Sequence, residues 1–250
     1  MKVFSVVGYS KSGKTSTVIE LVKELKLRGY KVATIKDIHY EKFTMETENS
    51  DSWQHWNASK DVVFARGLNE TYQIWHRQLQ LNEMLEHLDA DYVIIEGMKS
   101  IPMPRIVCAI SEKELEKLVD GTVFAISGRY ANNKNQYGNL KVFHSKNQIE
   151  ELTNIVEKKV FDVLPYAQNG CCDACGLSCE EMVTEILAGN KYRDNCKFDR
   201  EQSLLLKING KEIKIVPFVQ NTFKDVILGF VKNLKGYKKG KIEIEIEIDE

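Results

Sequence analysis

Val3-Phe-Ser-Val-Val-Gly8-Tyr9-Ser10-Lys11-Ser12-Gly13-Lys14-Thr15 decides how the rest of this chain is read. Val3 to Val7 is a short apolar run, as a buried strand is, and it stops at Gly8. From Gly8 to Thr15 the residues fill every fixed position of the phosphate-binding loop pattern G-x-x-x-x-G-K-[ST]. Ser16 to Arg28 continues with Val18, Leu21, Val22 and Leu25 at helical spacing, and Gly29 ends the helix. Strand, glycine-bounded loop and helix are the context in which the pattern has chemical meaning. Backbone N–H groups of such a loop form an anion-binding nest, and the helix adds the positive end of its dipole. Gly8, Tyr9, Ser10, Lys11, Ser12, Gly13, Lys14, Thr15 and Ser16 are therefore the candidate phosphate-binding residues. Lys14 is expected to reach the β- and γ-phosphates, and the Thr15 hydroxyl to ligate Mg²⁺.

Working outward, Lys31 to Lys36 reads as a second strand, paired in parallel with the first through a right-handed crossover. Residues 37–60 are irregular and polar, with Asp37, His39, Asp51, His55, Trp53 and Trp56. They form either a ligand-facing loop beyond a strand's carboxyl end, with Asp37 or Asp51 near a metal, or a solvated loop with two aromatic anchors. Asp61–Ala65 and Glu70–Trp75 flank Arg66-Gly67-Leu68-Asn69 as a hairpin, and Leu79 to Leu88 reads as a helix.

Asp91-Tyr-Val-Ile-Ile-Glu96-Gly97 is the second informative stretch, an apolar strand that ends on an acid. In phosphate-loop nucleotidases an acid at this strand end holds Mg²⁺ beside the loop, which makes Glu96 the second metal candidate. Met98 to Arg105, with Pro102 and Pro104, is an extended loop from the same strand end. Its Lys99 and Arg105 either meet an anionic ligand or partner or are surface charges. Ile106–Ile110 and Thr122–Ile126 read as buried strands around a helix capped by Ser111, with Cys108 an inert core thiol. The loop Ser127–Asn135 leaves the carboxyl edge where a nucleobase would sit, but it lacks the Asn-Lys-x-Asp arrangement that reads guanine. Lys141–His144 is a further short strand, and a helix follows over Asn147–Val163.

Composition sets the outer bounds. The 250 residues carry 35 Lys and Arg against 36 Asp and Glu, a formal net charge of −1. No global basic field draws nucleic acid or membrane. No apolar run reaches the roughly 18 residues of a membrane span, and the N-terminus enters a strand without a signal-peptide pattern. A cytoplasmic protein is expected.

Six cysteines are present, and five of them, Cys171, Cys172, Cys175, Cys179 and Cys196, fall within 26 residues. In a cytosolic nucleotide-binding protein such clustering points to metal rather than disulfides. Thiolates suit an iron–sulfur cluster or zinc. Cys172, Cys175, Cys179 and Cys196 are the candidate ligands, with Cys171 the spare or a substitute for Cys172. Free thiols are the remaining alternative. A helix over Glu180–Leu187 separates the last two. The tail then offers a hairpin, Ser203–Ile208 and Lys211–Ile215 around Asn209-Gly210. A helix at about Asn221–Leu234 follows, and an alternating strand at Ile242–Ile248.

Gly8 to Thr15, Ile35-Lys36-x-x-His39, Asp51-Ser52 and Ile95-Glu96-Gly97-Met98-Lys99 through Pro102-x-Pro104-Arg105-Ile106 resemble the molybdopterin-guanine dinucleotide biosynthesis adaptor family, MobB, over about residues 1–165. The resemblance implies a GTP-binding, weakly hydrolysing homodimer. It would assist the guanylyltransferase that attaches GMP to molybdopterin for molybdenum and tungsten enzymes. By the same resemblance Gly8–Ser16 bind phosphates, and Thr15 with Glu96 serve Mg²⁺. Residues 164–198 are similar to four-cysteine [4Fe-4S] modules of corrinoid iron–sulfur and electron-transport proteins, which usually place four residues, not three, between the second and third cysteines.

The expected fold class is α/β, a mostly parallel P-loop sheet with helices on both faces and a small Cys-rich α+β C-terminal region. Residues 1–165 would be the nucleotide-binding domain, 166–200 the Cys-rich module and 201–250 a small hairpin, helix and strand unit. An adaptor for cofactor maturation is the leading function. An iron–sulfur redox or cluster-carrier protein with a nucleotide-driven switch is the alternative, and a small-molecule kinase a weaker third.

Overall fold

The computed structural model describes residues 1–40, 43–165, 175–197, 204, 206–209, 211–213, 215, 217–238, 242–244 and 246. They separate into two compact units, Met1–Tyr166 with Cys179–Arg193, and Ala167–Ser178 with Asp194–Glu250.

The first unit opens with β1 (Lys2–Gly8), α1 (Lys14–Leu27) and β2 (Val32–Lys36). Helix α2 (Asp51–Ser59) and the strands β3 (Val62–Arg66) and β4 (Thr71–Trp75) come next, then α3 (Leu81–Glu86) and β5 (Tyr92–Glu96). β6 (Arg105–Cys108), α4 (Glu112–Leu118) and β7 (Val123–Ser127) complete the sheet region. The short strands β8 (Gln136–Tyr137) and β9 (Leu140–Lys141), α5 (Ile149–Lys159) and α6 (Cys179–Ala188) follow.

β2, β5, β1, β6 and β7, in that order, form a five-stranded sheet, parallel throughout. The parallel α/β expectation holds, but β1 and β2 are not neighbours as the crossover reading had them. β5 lies between them. The reason is burial: Tyr92 to Ile95 of β5 are buried on both faces, whereas Thr34 and Lys36 of β2 are exposed, so β2 belongs at the edge.

Helices cover both faces. α1 packs on β1, β5 and β2 and against α5, which also reaches β7. Its stripe Val18, Leu21 and Leu25 is buried, each fully buried leucine contributing about 2 kcal/mol. Arg28 beyond its end bonds Glu157 (2.6 Å) and Asn154 (2.7 Å) of α5. On the other face Val3, Val93 and Ile95 pack with Leu81 and Leu85 of α3 and with Met103. Beside them Val7 and Val107 pack with Leu115 of α4 and Tyr130.

β3 and β4 pair antiparallel as the predicted hairpin, apart from the main sheet. The irregular stretch 37–60 contains a helix, α2, that the polar composition concealed. Ser50 caps it by accepting a hydrogen bond from the Trp53 amide at 3.1 Å. Ser111 does occupy the N-cap position of α4, but its side chain makes no capping bond. Glu114 instead accepts from the Ile110 amide at 2.8 Å. Arg105 is not a ligand or surface charge. It is buried, pairs with Asp120 at 2.9 Å and donates to the Lys99 and Ile101 carbonyls, holding the proline loop shut.

α6 clusters with the first unit. Lys159 Nζ donates to the Leu187 carbonyl at 2.6 Å, and Arg193 to the Asp162 and Val163 carbonyls. In the second unit β10 (Leu206–Ile208) and β11 (Lys211–Ile213) pair as the predicted hairpin, and α7 spans Pro217–Val231. The alternating strand expected at 242–248 is not formed at 242–244 and 246, where Ile242, Ile244 and Ile246 are exposed. The rest of that run lies outside the described residues. Alternation alone does not make a strand without a hydrogen-bonding neighbour. No helix among the described residues is long and apolar enough to cross a membrane.

Candidate nucleotide and magnesium site

β1 is the central strand, so the loop after it emerges in the middle of the sheet's carboxyl edge, where open α/β sheets bind ligands. Gly8 is needed there by contact. A Cβ on it would lie 2.1 Å from the Cys108 carbonyl oxygen of the adjacent strand. Beyond it Lys11 and Gly13 turn through positive φ (61° and 104°), and α1 begins at Lys14 with Gly13 as its N-cap. That cap makes no side-chain bond, and the first turn holds no acid. The leading amides of α1 are thus left to whatever anion sits before them.

Register brings the second stretch to the loop. Val6 of β1 is paired with Glu96 of β5, so β5 ends two residues short of Gly8, where β1 gives way to the loop. Thr15 Oγ1 donates to Glu96 Oε1 at 2.8 Å, and Lys36 Nζ stands 3.8 Å from the same oxygen. A hydroxyl and a carboxylate in contact, one on the loop helix and one on the neighbouring strand, form the donor set a magnesium nucleotide requires. Asp37 accepts from the Met98 amide at 3.1 Å and faces His39 Nε2 at 3.0 Å, so it braces the turn after β5. Asp51 is in the first turn of α2, where it complements the helix dipole.

The phosphate side is strongly positive. Lys14 Nζ donates to the Tyr9 carbonyl at 2.7 Å, lying over the loop. Lys99 Nζ sits 4.9 Å from the centre of the Tyr9 ring. Burial lowers the Lys99 pKa, and the charges of Lys14 and Arg105 lower it further. An ammonium so placed gains from an arriving phosphate. Lys99 thus faces the loop.

A cavity of ≈ 350 Å³ adjoins the loop. Its walls come from Lys11 and Gly13–Ser16, from Gly128, Arg129 and Asn132 of the turn after β7, and from His144, Ser145 and Lys146 ahead of α5. Among the described residues no carboxylate lines it. The turn after β7 is locked to the loop, because the Arg129 amide donates to the Ser12 carbonyl at 3.0 Å. That turn was expected to meet a base from its place at the carboxyl edge. His144–Lys146 carry no motif, and only the chain's return before α5 brings them in. Cys108, beneath the loop, is fully buried and its thiol is pushed up to about 12 by burial, as an inert core residue should be.

Of the cysteine set, Cys171 and Cys172 lie outside the described residues. Cys175 and Cys196 belong to the second unit, and Cys179 opens α6 in the first. Among the described residues no group of three or more His, Cys, Asp or Glu is arranged to hold a metal ion.

If Glu96 and Thr15 share a cation, Glu96→Gln weakens Mg²⁺-dependent nucleotide binding about tenfold and leaves Mg²⁺-free binding little changed. Titrations with and without EDTA check this. Equal losses in both would place the cation elsewhere.

Comparison with known proteins agrees with this architecture. A chain from Methanocaldococcus jannaschii, carrying a molybdopterin-guanine dinucleotide biosynthesis adapter name, is 27% identical over 255 residues, spanning 100% of this chain and 98% of its own length. The molybdopterin-guanine dinucleotide biosynthesis adapter protein of Haemophilus influenzae is 30% identical over 135 residues, 50% of this chain and 73% of its own. A crystal structure of Bacillus subtilis MobB shares the fold at a TM-score of 0.54 and 24% identity. It is covered in full by 65% of this chain, so the remainder is additional to it. The profile of the family described as MobB, molybdopterin guanine dinucleotide synthesis protein B, matches residues 3–127, half of the chain, and the chain belongs to that family.

Proposed function

We propose that this chain is a GTP-binding adaptor in the biosynthesis of the molybdopterin guanine dinucleotide cofactor, acting in the cytoplasm as a homodimer with a molybdopterin guanylyltransferase. The 2.8 Å contact between Thr15 and Glu96 at the mouth of the phosphate loop carries this reading. On it, amides of Gly8–Ser16 and the Lys14 ammonium hold the phosphates, and Thr15 with Glu96 holds Mg²⁺. Asn132, Arg129 and His144 supply the polar wall for the base. Bound Mg²⁺ would neutralise charge between the outer phosphates.

Turnover on this reading is slow. The cations lining the cavity beside the loop, Lys11, Lys14, Lys146 and Arg129, stabilise charge, and among the described residues no glutamine lines it to orient an attacking water. The protein therefore holds nucleotide for a partner enzyme more than it consumes it. That favours the adaptor reading over the iron–sulfur carrier and the kinase. In a reconstituted guanylyl transfer at limiting GTP, adding the protein is expected to raise the rate several-fold. ATP should not compete. No stimulation, or equal use of ATP, would remove the adaptor role.

Cys172, Cys175, Cys179 and Cys196 are proposed as ligands of a [4Fe-4S] cluster or zinc in the added C-terminal part. Their spacing supports this. The division at residues 165 and 200 is proposed on the same ground. Iron, zinc and sulfide analysis of anaerobically purified protein is expected to find one metal site per chain. Metal-free protein that still folds would overturn it.

A further inference from the structure

One loop residue, Tyr9, carries two ammonium groups. Lys14 Nζ donates to its carbonyl at 2.7 Å, and Lys99 Nζ stands 4.9 Å from the centre of its ring. The ring is exposed, and a contact with an exposed ring is a weak hold for an ammonium. The lysine ion pairs among the described residues are those of Lys23, Lys31 and Lys36, and Lys99 has none. The backbone that carries Lys99 is fixed on both sides. The Gly97 amide donates to the Val6 carbonyl at 3.0 Å, and the Met98 amide to the Asp37 carboxylate at 3.1 Å. The Lys99 carbonyl accepts from the buried Arg105 guanidinium at 2.8 Å, and the same guanidinium bonds Asp120 at 2.9 Å. The root of this side chain is therefore held, while its charged head rests on the phosphate loop without a counter-ion among the described residues.

We infer that Lys99 is a specificity-determining residue of the nucleotide site: its ammonium takes the terminal phosphate of a triphosphate and so separates a nucleoside triphosphate from a diphosphate. This rests on the reading that the loop binds nucleotide. Three observations place Lys99 at the outer end of the phosphate chain. The lysine of such a loop reaches the β- and γ-phosphates, and here the Lys14 ammonium lies on Tyr9, the residue whose ring Lys99 faces. Glu96, the proposed magnesium carboxylate, ends β5 three residues before Lys99. The cavity on the proposed base side, with Gly128, Asn132 and His144 in its wall, is lined by neither Tyr9 nor Lys99. The chemistry fits that place. A terminal phosphate brings negative charge and acceptor oxygens that a diphosphate lacks, and a charge-assisted hydrogen bond to them is stronger than a contact with a ring. A lysine head on its flexible four-carbon stem swings from ring to phosphate without moving its backbone. The event is binding alone, with no bond made or broken.

The test titrates the full-length protein with GDP and with guanosine 5′-(β,γ-imido)triphosphate, both with Mg²⁺, and repeats the pair with the adenine nucleotides. Wild-type protein is expected to favour the triphosphate. Lys99→Met keeps the aliphatic stem and removes the charge. It should bind the triphosphate about tenfold more weakly and the diphosphate within about twofold of wild type, so the ratio of the two affinities falls. Lys99→Arg keeps the charge and should retain most of that ratio. Diphosphate binding reports that each variant is folded. An unchanged ratio in Lys99→Met, or an equal loss of both nucleotides, overturns the inference and leaves the adaptor reading standing. A fall in the ratio in a protein that binds adenine nucleotides as well as guanine ones keeps the inference and removes the adaptor reading. Wild-type protein that binds none of the four overturns both.

Discussion

Lys14→Ala is expected to weaken GTP binding by about 3 kcal/mol, roughly a hundredfold in Kd. Among the described residues the ammonium bonds the Tyr9 carbonyl alone, at 2.7 Å, and it lines a cavity whose described walls carry no carboxylate. Among the described residues no carboxylate is given as its partner, which suits it to the phosphates proposed to bind there. Removing it should change stability in the absence of nucleotide by no more than about 0.5 kcal/mol, as for other substitutions away from the core. Lys14→Arg should rescue poorly, because a planar fork does not replace a compact point charge in a narrow loop. Isothermal titration of GTP into each variant, with thermal unfolding as the control, decides it. Undiminished binding by Lys14→Ala would place the phosphates elsewhere.

Gly128→Ala should damage both stability and binding. Its backbone sits at φ +82°, and a Cβ there would lie 2.3 Å from the Ser12 carbonyl oxygen, the same oxygen that accepts from the Arg129 amide. Neither neighbour is a flexible side-chain end, so the phosphate loop and the turn after β7 must separate. A cost of about 3 kcal/mol is expected from strain and the lost contact, lowering Tm by roughly 10 °C. GTP affinity should fall with it, because the same displacement moves the loop amides. Gly138→Ala is the control. It too has positive φ, +54°, but nothing lies within 4 Å of its Cβ, so it should cost about 1 kcal/mol and leave GTP binding intact. Equal effects from the two would mean that backbone conformation alone, not the docking of the two loops, governs the site.

The parts of this molecule that were legible in its sequence are those with local physical signatures. The phosphate loop announces itself because a tight anion nest needs glycine and lysine at fixed intervals. Glu96 could be placed because an acid at the end of an apolar run has few structural reasons to be there, and the parallel register then puts it beside Thr15. Strand order was not legible. That β5 separates β1 from β2 follows from which strand is buried on both faces, a property of the whole sheet. Arg105 was misread as a candidate contact for the opposite reason. Sequence shows a charge after prolines, and only the fold supplies Asp120 and two carbonyls to bury it. Helix α2 was hidden by polar residues on its exposed sides, although Ser50 ahead of Asp51 is a good cap. His144, Ser145 and Lys146 reach the cavity beside the phosphate loop because the chain turns back before α5. Nothing in their own residue types records that turn.

A crystal structure of the full chain with GTP and Mg²⁺ tests the central claim most directly. The β- and γ-phosphates are expected against the amides of Gly13 to Ser16 and the Lys14 ammonium. One magnesium ion should lie between the Thr15 hydroxyl and the Glu96 carboxylate, directly or through one water. Nucleotide bound away from this loop, or an ion held without either side chain, would contradict it.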